Sequence, residues 1–207
     1  MRKKIIYKYI RRFLGLDELI NLRSCVIELN DIQELKRVFD WSLDPKLDRP
    51  EVYKFRYIED VNNRRLRDAE CLGTVVRNIN PITCLDIGTG FGYSAALMAI
   101  NSPASEIYTI NIPPEEFEEG GVLTTMKLDK SKIGSYFREG KFSNIKQLYA
   151  NTATWEPDIG NIDIAFIDGS HDSTFVFNDT VKILKYMKPG SFILWHDFNL
   201  GLLGEFD

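Results

Sequence analysis

The stretch Cys84-Leu85-Asp86-Ile87-Gly88-Thr89-Gly90-Phe91-Gly92-Tyr93-Ser94 constrains this chain more than any other. A short apolar run enters it and the helix-forming run Ala95–Ile100 leaves it, so the glycines sit at a strand-to-helix turn. Glycine lets the backbone turn sharply there and approach a ligand closely, since no Cβ stands in the way. The dinucleotide fingerprint Gly-x-Gly-x-x-Gly uses such a turn to hold a pyrophosphate on a helix N-terminus. Here the third glycine comes one residue early, and Asp86 puts a negative charge where a diphosphate would lie. A carboxylate at that place suits a ligand with a cationic end and no phosphate. The competing readings are glycines kept for packing alone and a dinucleotide oxidoreductase.

Around this turn short apolar strands alternate with helical segments. Val61, Leu66, Ala69, Leu72 and Val76 line one helical face, and Asn80-Pro81 should stop that helix. Ile82–Leu85, Glu106–Ile110, Ile145–Tyr149, Ile162–Ile167 and Ser191–Trp195 read as strands. A helix over Phe175–Met187 and a turn at Pro189-Gly190 precede the last of them. This order predicts an α/β fold, a Rossmann-like parallel sheet with helices on both faces. Ahead of it, Phe13, Leu16, Leu19, Leu22, Val26, Leu29, Ile32, Leu35 and Phe39 recur at helical spacing. The stripe is broken near Asn30-Asp31, where Asp31 is placed to cap a second helix. Residues 1–58 therefore read as an N-terminal helical extension and linker, and 59–207 as the main domain. The stripe suits either a helical hairpin packed on that domain or a homodimer seam.

The formal charge of −4 argues against nucleic acid as a partner, because phosphate binding needs a basic surface. Cys25, Cys71 and Cys84 are widely spaced and form no CxxC pair. They fit neither a disulfide framework nor a zinc site, and a reducing cytoplasm is the expected setting. No apolar run reaches the roughly 20 residues that a transmembrane segment needs, and Lys8, Arg11 and Arg12 interrupt any signal-peptide core. The start carries six Lys or Arg among residues 1–12. It reads as a solvated helix end, with contact to an anionic membrane as the alternative.

Residues from about 59 to 200 resemble the class I S-adenosylmethionine-dependent methyltransferases, and within them the methyltransferase-24 family. The resemblance rests on Leu85–Ser94, on Phe166-Ile167-Asp168-Gly169-Ser170-His171, and on Lys188-Pro189-Gly190-Ser191-Phe192-Ile193-Leu194-Trp195-His196-Asp197-Phe198. It implies methyl transfer from S-adenosylmethionine to an oxygen, less often a nitrogen, of a small-molecule or saccharide acceptor. Asp86 with Gly88, Thr89, Gly90, Gly92, Tyr93 and Ser94 would hold the amino acid end of the cofactor. Asn111 would face the ribose, Asn151 and Thr152 the adenine edge, and Asp168 would also lie at the cofactor. Three features depart from the family. It usually carries an acid where Asn111 and Asn151 stand, and an amide oxygen accepts a hydrogen bond without a charge to strengthen it. The usual fold also ends with two further strands, whereas ten residues follow Asp197, so those C-terminal strands are expected to be missing here, either because this is a piece of a longer chain or because the sheet is cut short. The departures keep a second reading open, a non-catalytic methyltransferase-like scaffold or partner-binding subunit.

The chain has two histidines, His171 and His196, each just past an expected strand. Ligands of open α/β sheets bind beyond the carboxyl ends of the strands, so Asp168, His171, His196 and Asp197 should share one rim. His171 or His196, with Asp168, is the candidate catalytic group that takes a hydroxyl proton. Asp168, His196 and Asp197 are the candidates for a divalent metal. The plainer reading is that these residues cap helices and close loops. Asp163 opens the fourth strand and should lie at the opposite end. The long segment Pro113–Lys141 suits a substrate-gating loop, or equally an acidic solvated face with a helix at Ile133–Arg138.

Overall fold

The structure, a computed structural model, describes residues 27, 29–47, 64–117 and 127–196. The expected dimer seam before Asn30, the linker boundary near 58, the acidic run Glu118-Glu119 and Asp197 lie outside these residues. Asp31–Asp197 form one compact unit.

Its centre is a sheet of five parallel strands, β1 (Thr83–Ile87), β2 (Glu106–Asn111), β3 (Ile145–Tyr149), β4 (Ile162–Ile167) and β5 (Met187–Trp195), in the order β3-β2-β1-β4-β5. The helices are α1 (Ile32–Phe39), α2 (Arg64–Ile79), α3 (Tyr93–Asn101), α4 (Ser135–Glu139) and α5 (Ser173–Leu184). This is the expected Rossmann-like α/β fold. The chain leaves β1 toward β2 and β3, then returns to place β4 on the other side. A crevice therefore opens at the carboxyl ends of β1 and β4.

Every residue of β1 is buried because the strand is sandwiched on both faces. Alternate side chains feed two cores. Cys84, Ile107, Ile164 and Phe166 meet Leu72, Val76, Ala95, Leu97 and Met98 of α2 and α3, whereas Leu85, Ile110, Ala165 and Ile167 meet Ile183 of α5. Each fully buried isoleucine contributes about 2–3 kcal/mol. Burial also pushes the Cys84 thiol up to about 12, which makes it unreactive.

Local signals place the helix ends. Asp31 accepts the Glu34 N–H at 2.9 Å and caps α1. Leu35 and Trp41 then pack on the α2/α3 core, and Trp41 lies 5.7 Å from the Phe192 ring of β5. Asn80 takes the left-handed conformation (φ 48°) and closes α2 before Pro81, as the sequence predicts. Two expectations need correction. The last helix ends at Leu184, because Met187 is drawn into pairing with Ile162. Pro189-Gly190 is a bulge inside β5, between the Met187–Ile162 and Phe192–Ile164 pairs. An edge strand tolerates this, since the missing proline N–H has no ladder partner to lose.

Asp163 staples the far end of the sheet. Its Oδ2 accepts the Ile82 and Thr83 N–H groups at 2.8 and 3.1 Å, and Oδ1 lies 3.0 Å from Lys188 Nζ. Burial alone would raise its pKa, but the Thr83 N–H, Lys188 and the Ile82 N–H outweigh that and hold it below the usual range. A depressed carboxylate stabilises the fold above its unfolded pKa and loses that contribution as pH falls through the folded one. Asp163→Ala should cost about 1–3 kcal/mol at pH 7. Urea unfolding should show the gap from wild type shrinking toward pH 3; an equal gap at both pH values would contradict the staple.

Candidate active site

The glycine loop connects β1 to α3 and is gripped from two sides. Gly88 and Thr89 both donate their N–H to the Ile110 carbonyl of β2, at 2.9 and 3.0 Å. A Cβ on Gly88 (φ 106°) would collide with the Asp168 carbonyl, so the loop lies directly against the end of β4. A Cβ on Gly92 would strike the Phe137 ring. Gly90 differs: its φ of 52° is left-handed, yet a Cβ there meets no protein atom within 4 Å. Packing does not demand glycine at position 90; the left-handed backbone favours it, and the space over it is open.

The segment before β3 braces the loop. Gly134 N–H donates to the Gly90 carbonyl at 2.9 Å, and Tyr136 N–H to the Phe91 carbonyl at 3.0 Å. Ile133, Tyr136 and Phe137 are buried beneath it. Within Pro113–Lys141, residues 133–137 thus pack against the loop, and the helix expected at Ile133–Arg138 runs over Ser135–Glu139. Gly134, with φ 69°, delays the helix to Ser135.

Asp86, on the last turn of β1, is fully buried. Strand register sets Thr109 of β2 beside it and Gln147 of β3 beside Thr109. Thr109 Oγ1 donates to Asp86 Oδ2 at 2.6 Å, Thr89 and Thr109 hydroxyls are 2.8 Å apart, and Gln147 Nε2 donates to Thr89 Oγ1 at 2.9 Å. Asp86 Oδ1 accepts no hydrogen bond of good geometry. Desolvation pushes this carboxyl up to about 7 against help from Thr109 and Ser94, and the nearby Asp168 charge adds to the rise. Sequence reasoning missed Thr109 and Gln147; polar residues inside otherwise apolar strands were the available signal.

Asn111 ends β2 with both halves of its amide engaged. Oδ1 accepts the Gly90 N–H at 3.2 Å and Nδ2 donates to the Ile112 carbonyl at 2.9 Å. A carboxylate could make only the first bond, which gives the amide a local reason. Asn151 Oδ1 accepts the Ala153 N–H at 3.0 Å, an ordinary Asx turn at a strand end. The Thr152 carbonyl is taken by the buried Lys182 Nζ at 2.7 Å, and Lys182 also donates to the Trp155 carbonyl. Burial raises the pKa of the neighbouring Asp179, opposed by hydrogen bonds from Thr152 and Asn178 and by the Lys182 charge.

At the rim, His196 Nδ1 lies 3.2 Å from Asp168 Oδ1, and its Nε2 lies 3.4 Å from Asp68 Oδ2 on α2. Asp168 and His196 are thus brought together as expected, and Asp68 joins them from a helix whose sequence carries no sign of it. His171 sits exposed in the loop between β4 and α5. Among the described residues, no three His, Cys, Asp or Glu side chains are arranged to hold a metal ion. No described helix is long and apolar enough to cross a membrane.

Comparisons with known proteins bear on the family and the fold. The methyltransferase-24 family, described as a methyltransferase domain, matches residues 85–198. That is more than half of the chain, and the chain belongs to this family, whose class I fold is that of S-adenosylmethionine-dependent methyltransferases. Among solved structures, a Podospora anserina methyltransferase with S-adenosylhomocysteine bound is 17% identical, with a TM-score of 0.50 over 83% of this chain and 72% of that one. A precorrin-6y C5,15-methyltransferase from Geobacter metallireducens is 14% identical, with a TM-score of 0.50 over 75% of this chain and 74% of that one. A Staphylococcus aureus protein assigned provisionally as a caffeoyl-CoA O-methyltransferase is 15% identical, with a TM-score of 0.48 over 81% of this chain. The chain spans 66% of that protein's length. No curated protein sequence matches the chain.

The Lys182 clamp yields a stability test. Lys182→Met should leave the Trp155 carbonyl without the ammonium and the Thr152 carbonyl with the Asn178 amide alone, and cost about 2–4 kcal/mol. Amide exchange at residues 152–155 should accelerate selectively. Unchanged melting and exchange would show that the ammonium is not the clamp.

Proposed function

We propose that this domain binds S-adenosylmethionine in the crevice between β1 and β4 and methylates an oxygen of a small molecule or saccharide. The observation that carries the reading is the pairing of a buried carboxylate oxygen, Asp86 Oδ1, that accepts no hydrogen bond of good geometry, with a glycine, Gly90, over which the space is open. A buried acceptor without a donor is costly, and a ligand ammonium would satisfy it. The cofactor supplies a methyl group already activated on a sulfonium, so alignment does much of the work.

The chain's own residues divide the remaining tasks. Gly88, Thr89, Gly92, Tyr93 and Ser94 shape the loop and the start of α3. Asn111 holds the loop through Gly90 and would lie beside the ribose. The turn at Asn151 and Thr152 would flank the adenine. His196 is the candidate base: Asp168 faces Nδ1 and favours a proton there, which leaves Nε2 for an acceptor hydroxyl. Asp68 faces Nε2 at 3.4 Å and is half exposed, so it has room to swing aside. His171, exposed in the loop after β4, is the secondary candidate. Asp168 and His196, together with Asp197, also remain the residues that would meet a divalent ion.

Calorimetry tests the reading directly. S-adenosylhomocysteine should bind and NAD should not, and Gly90→Val should abolish binding at the added cost of a β-branched residue at φ 52°, whereas Gly90→Asn, which tolerates that backbone, should weaken binding with little change in melting temperature. Saturable NAD binding without the sulfur nucleotide would reject the methyltransferase reading. Binding of the sulfur nucleotide together with methyl transfer to no member of a panel of phenols, alcohols and saccharides would favour the scaffold. With an acceptor in hand, His196→Ala should slow transfer about 10²–10⁴-fold at unchanged cofactor affinity. A rate close to wild type would remove His196 as the base.

A further inference from the structure

Four polar groups from three strands and the glycine loop are connected in one direction. The Gln147 amide is fixed at the far end, because Nε2 also faces the Leu148 and Thr109 carbonyls, at 2.8 and 3.2 Å. Carbonyls accept only from the NH₂ side, so the amide cannot be turned round. Nε2 therefore donates to Thr89 Oγ1. At the near end an ionised Asp86 only accepts, so Thr109 must give it its single hydroxyl proton. The Thr109 oxygen then accepts from Thr89, which in turn accepts from Gln147. Each hydroxyl donates once toward the carboxylate. A proton on Asp86 Oδ2 would reverse Thr109 and leave the Thr89 proton without its acceptor. A proton on Oδ1 would stand in a buried place where that oxygen makes no hydrogen bond of good geometry and only the Ser94 hydroxyl is near the carboxyl.

We infer that Thr109, backed by Thr89 and Gln147, is a positioning residue that favours the anion of Asp86, the form a cationic ligand end requires, so that on the acid side cofactor binding draws one proton from the Asp86 carboxyl. This rests on the proposed cofactor site. The groups facing Asp86 are the Thr109 hydroxyl on β2, the Ser94 hydroxyl on α3 and the Asp168 charge at the end of β4. Desolvation and Asp168 work against the anion, and the hydroxyls work for it. With its carboxyl balanced near the middle of the accessible pH range, affinity should fall about tenfold per pH unit on the acid side. Removing the Thr109 donor should move the midpoint upward by about one to two units, the range expected for a hydrogen bond to a charged group.

The test uses the full chain and S-adenosylhomocysteine as probe, by calorimetry from pH 6 to 8.5, alongside a carbon-13 NMR titration of the Asp86 carboxyl without ligand. Wild type should bind about tenfold more weakly at pH 6 than at the alkaline plateau. Thr109→Val should bind at least tenfold more weakly than wild type at pH 7, with the gap narrowing toward pH 8.5. Thr109→Ser should restore the wild-type profile, and Gln147→Leu should give a smaller shift in the same direction. The NMR midpoint should move with the binding midpoint. A pH-independent affinity in wild type overturns the inference, as does a Thr109→Val loss of equal size at every pH. If Thr109→Val does not fold, the Gln147→Leu and Thr109→Ser profiles decide by the same criteria. Absence of binding at every pH would reject the cofactor site itself. The NMR midpoint would then still judge the relay, and a midpoint unmoved by the variants overturns it.

Discussion

A carboxylate buried on the central strand of a parallel sheet is the constraint around which this domain is organised. Asp86 is fully enclosed, and an isolated ionised carboxyl in such a place would neutralise itself at the expense of its role. The sheet answers through register. Parallel pairing sets Asp86, Thr109 and Gln147 in adjacent columns at the same height, so their side chains emerge on one face. That face is otherwise apolar, built from α2 and α3. A polar line three strands wide is thereby embedded in a hydrocarbon core, with Asp86 Oδ1 left over at one end and Gln147 Oε1 at the other.

The glycine loop depends on the same framework. Its first glycine sits where the β1 and β4 ends touch, and its last sits against Phe137. Between them Gly90 is held by the Gly134 N–H, which meets its carbonyl, and by the Asn111 amide, which meets its N–H. The loop is thus fixed at both peptide groups of the residue that a ligand would approach. A pre-set backbone of this kind lowers the ordering cost of binding. The asparagine that departs from the family's usual acid contributes to that rigidity through its second bond, to the Ile112 carbonyl.

The rim is built by different means. His196 follows β5, Asp168 follows β4 and Asp68 projects from α2, so three elements distant in sequence contribute to one imidazole environment. Family membership accounts for the fold and the methyl-transfer class. The rim geometry concerns what this chain does with an acceptor, and there Asp168 and Asp68 flank His196.

Much of the architecture was legible in the residues. The Gly-x-Gly-x-Gly spacing after Asp86, the apolar runs at Ile145–Tyr149 and Ile162–Ile167, the Asp31 cap and the Asn80-Pro81 stop are local patterns, and local patterns act through backbone conformation and burial period. They determined the fold class, the loop and the charge beside it. The end of α5 and the bulge at Pro189-Gly190 were not legible, because pairing of Met187 with Ile162 competes with helix extension. The partners of Asp86 and His196 were decided only by tertiary structure. Thr109 and Gln147 reach Asp86 through strand register, and Asp68 reaches His196 through the packing of α2 on the sheet. Neither relation leaves a trace in sequence spacing, since hydrogen bonds between distant segments depend on where the folded backbone sets them.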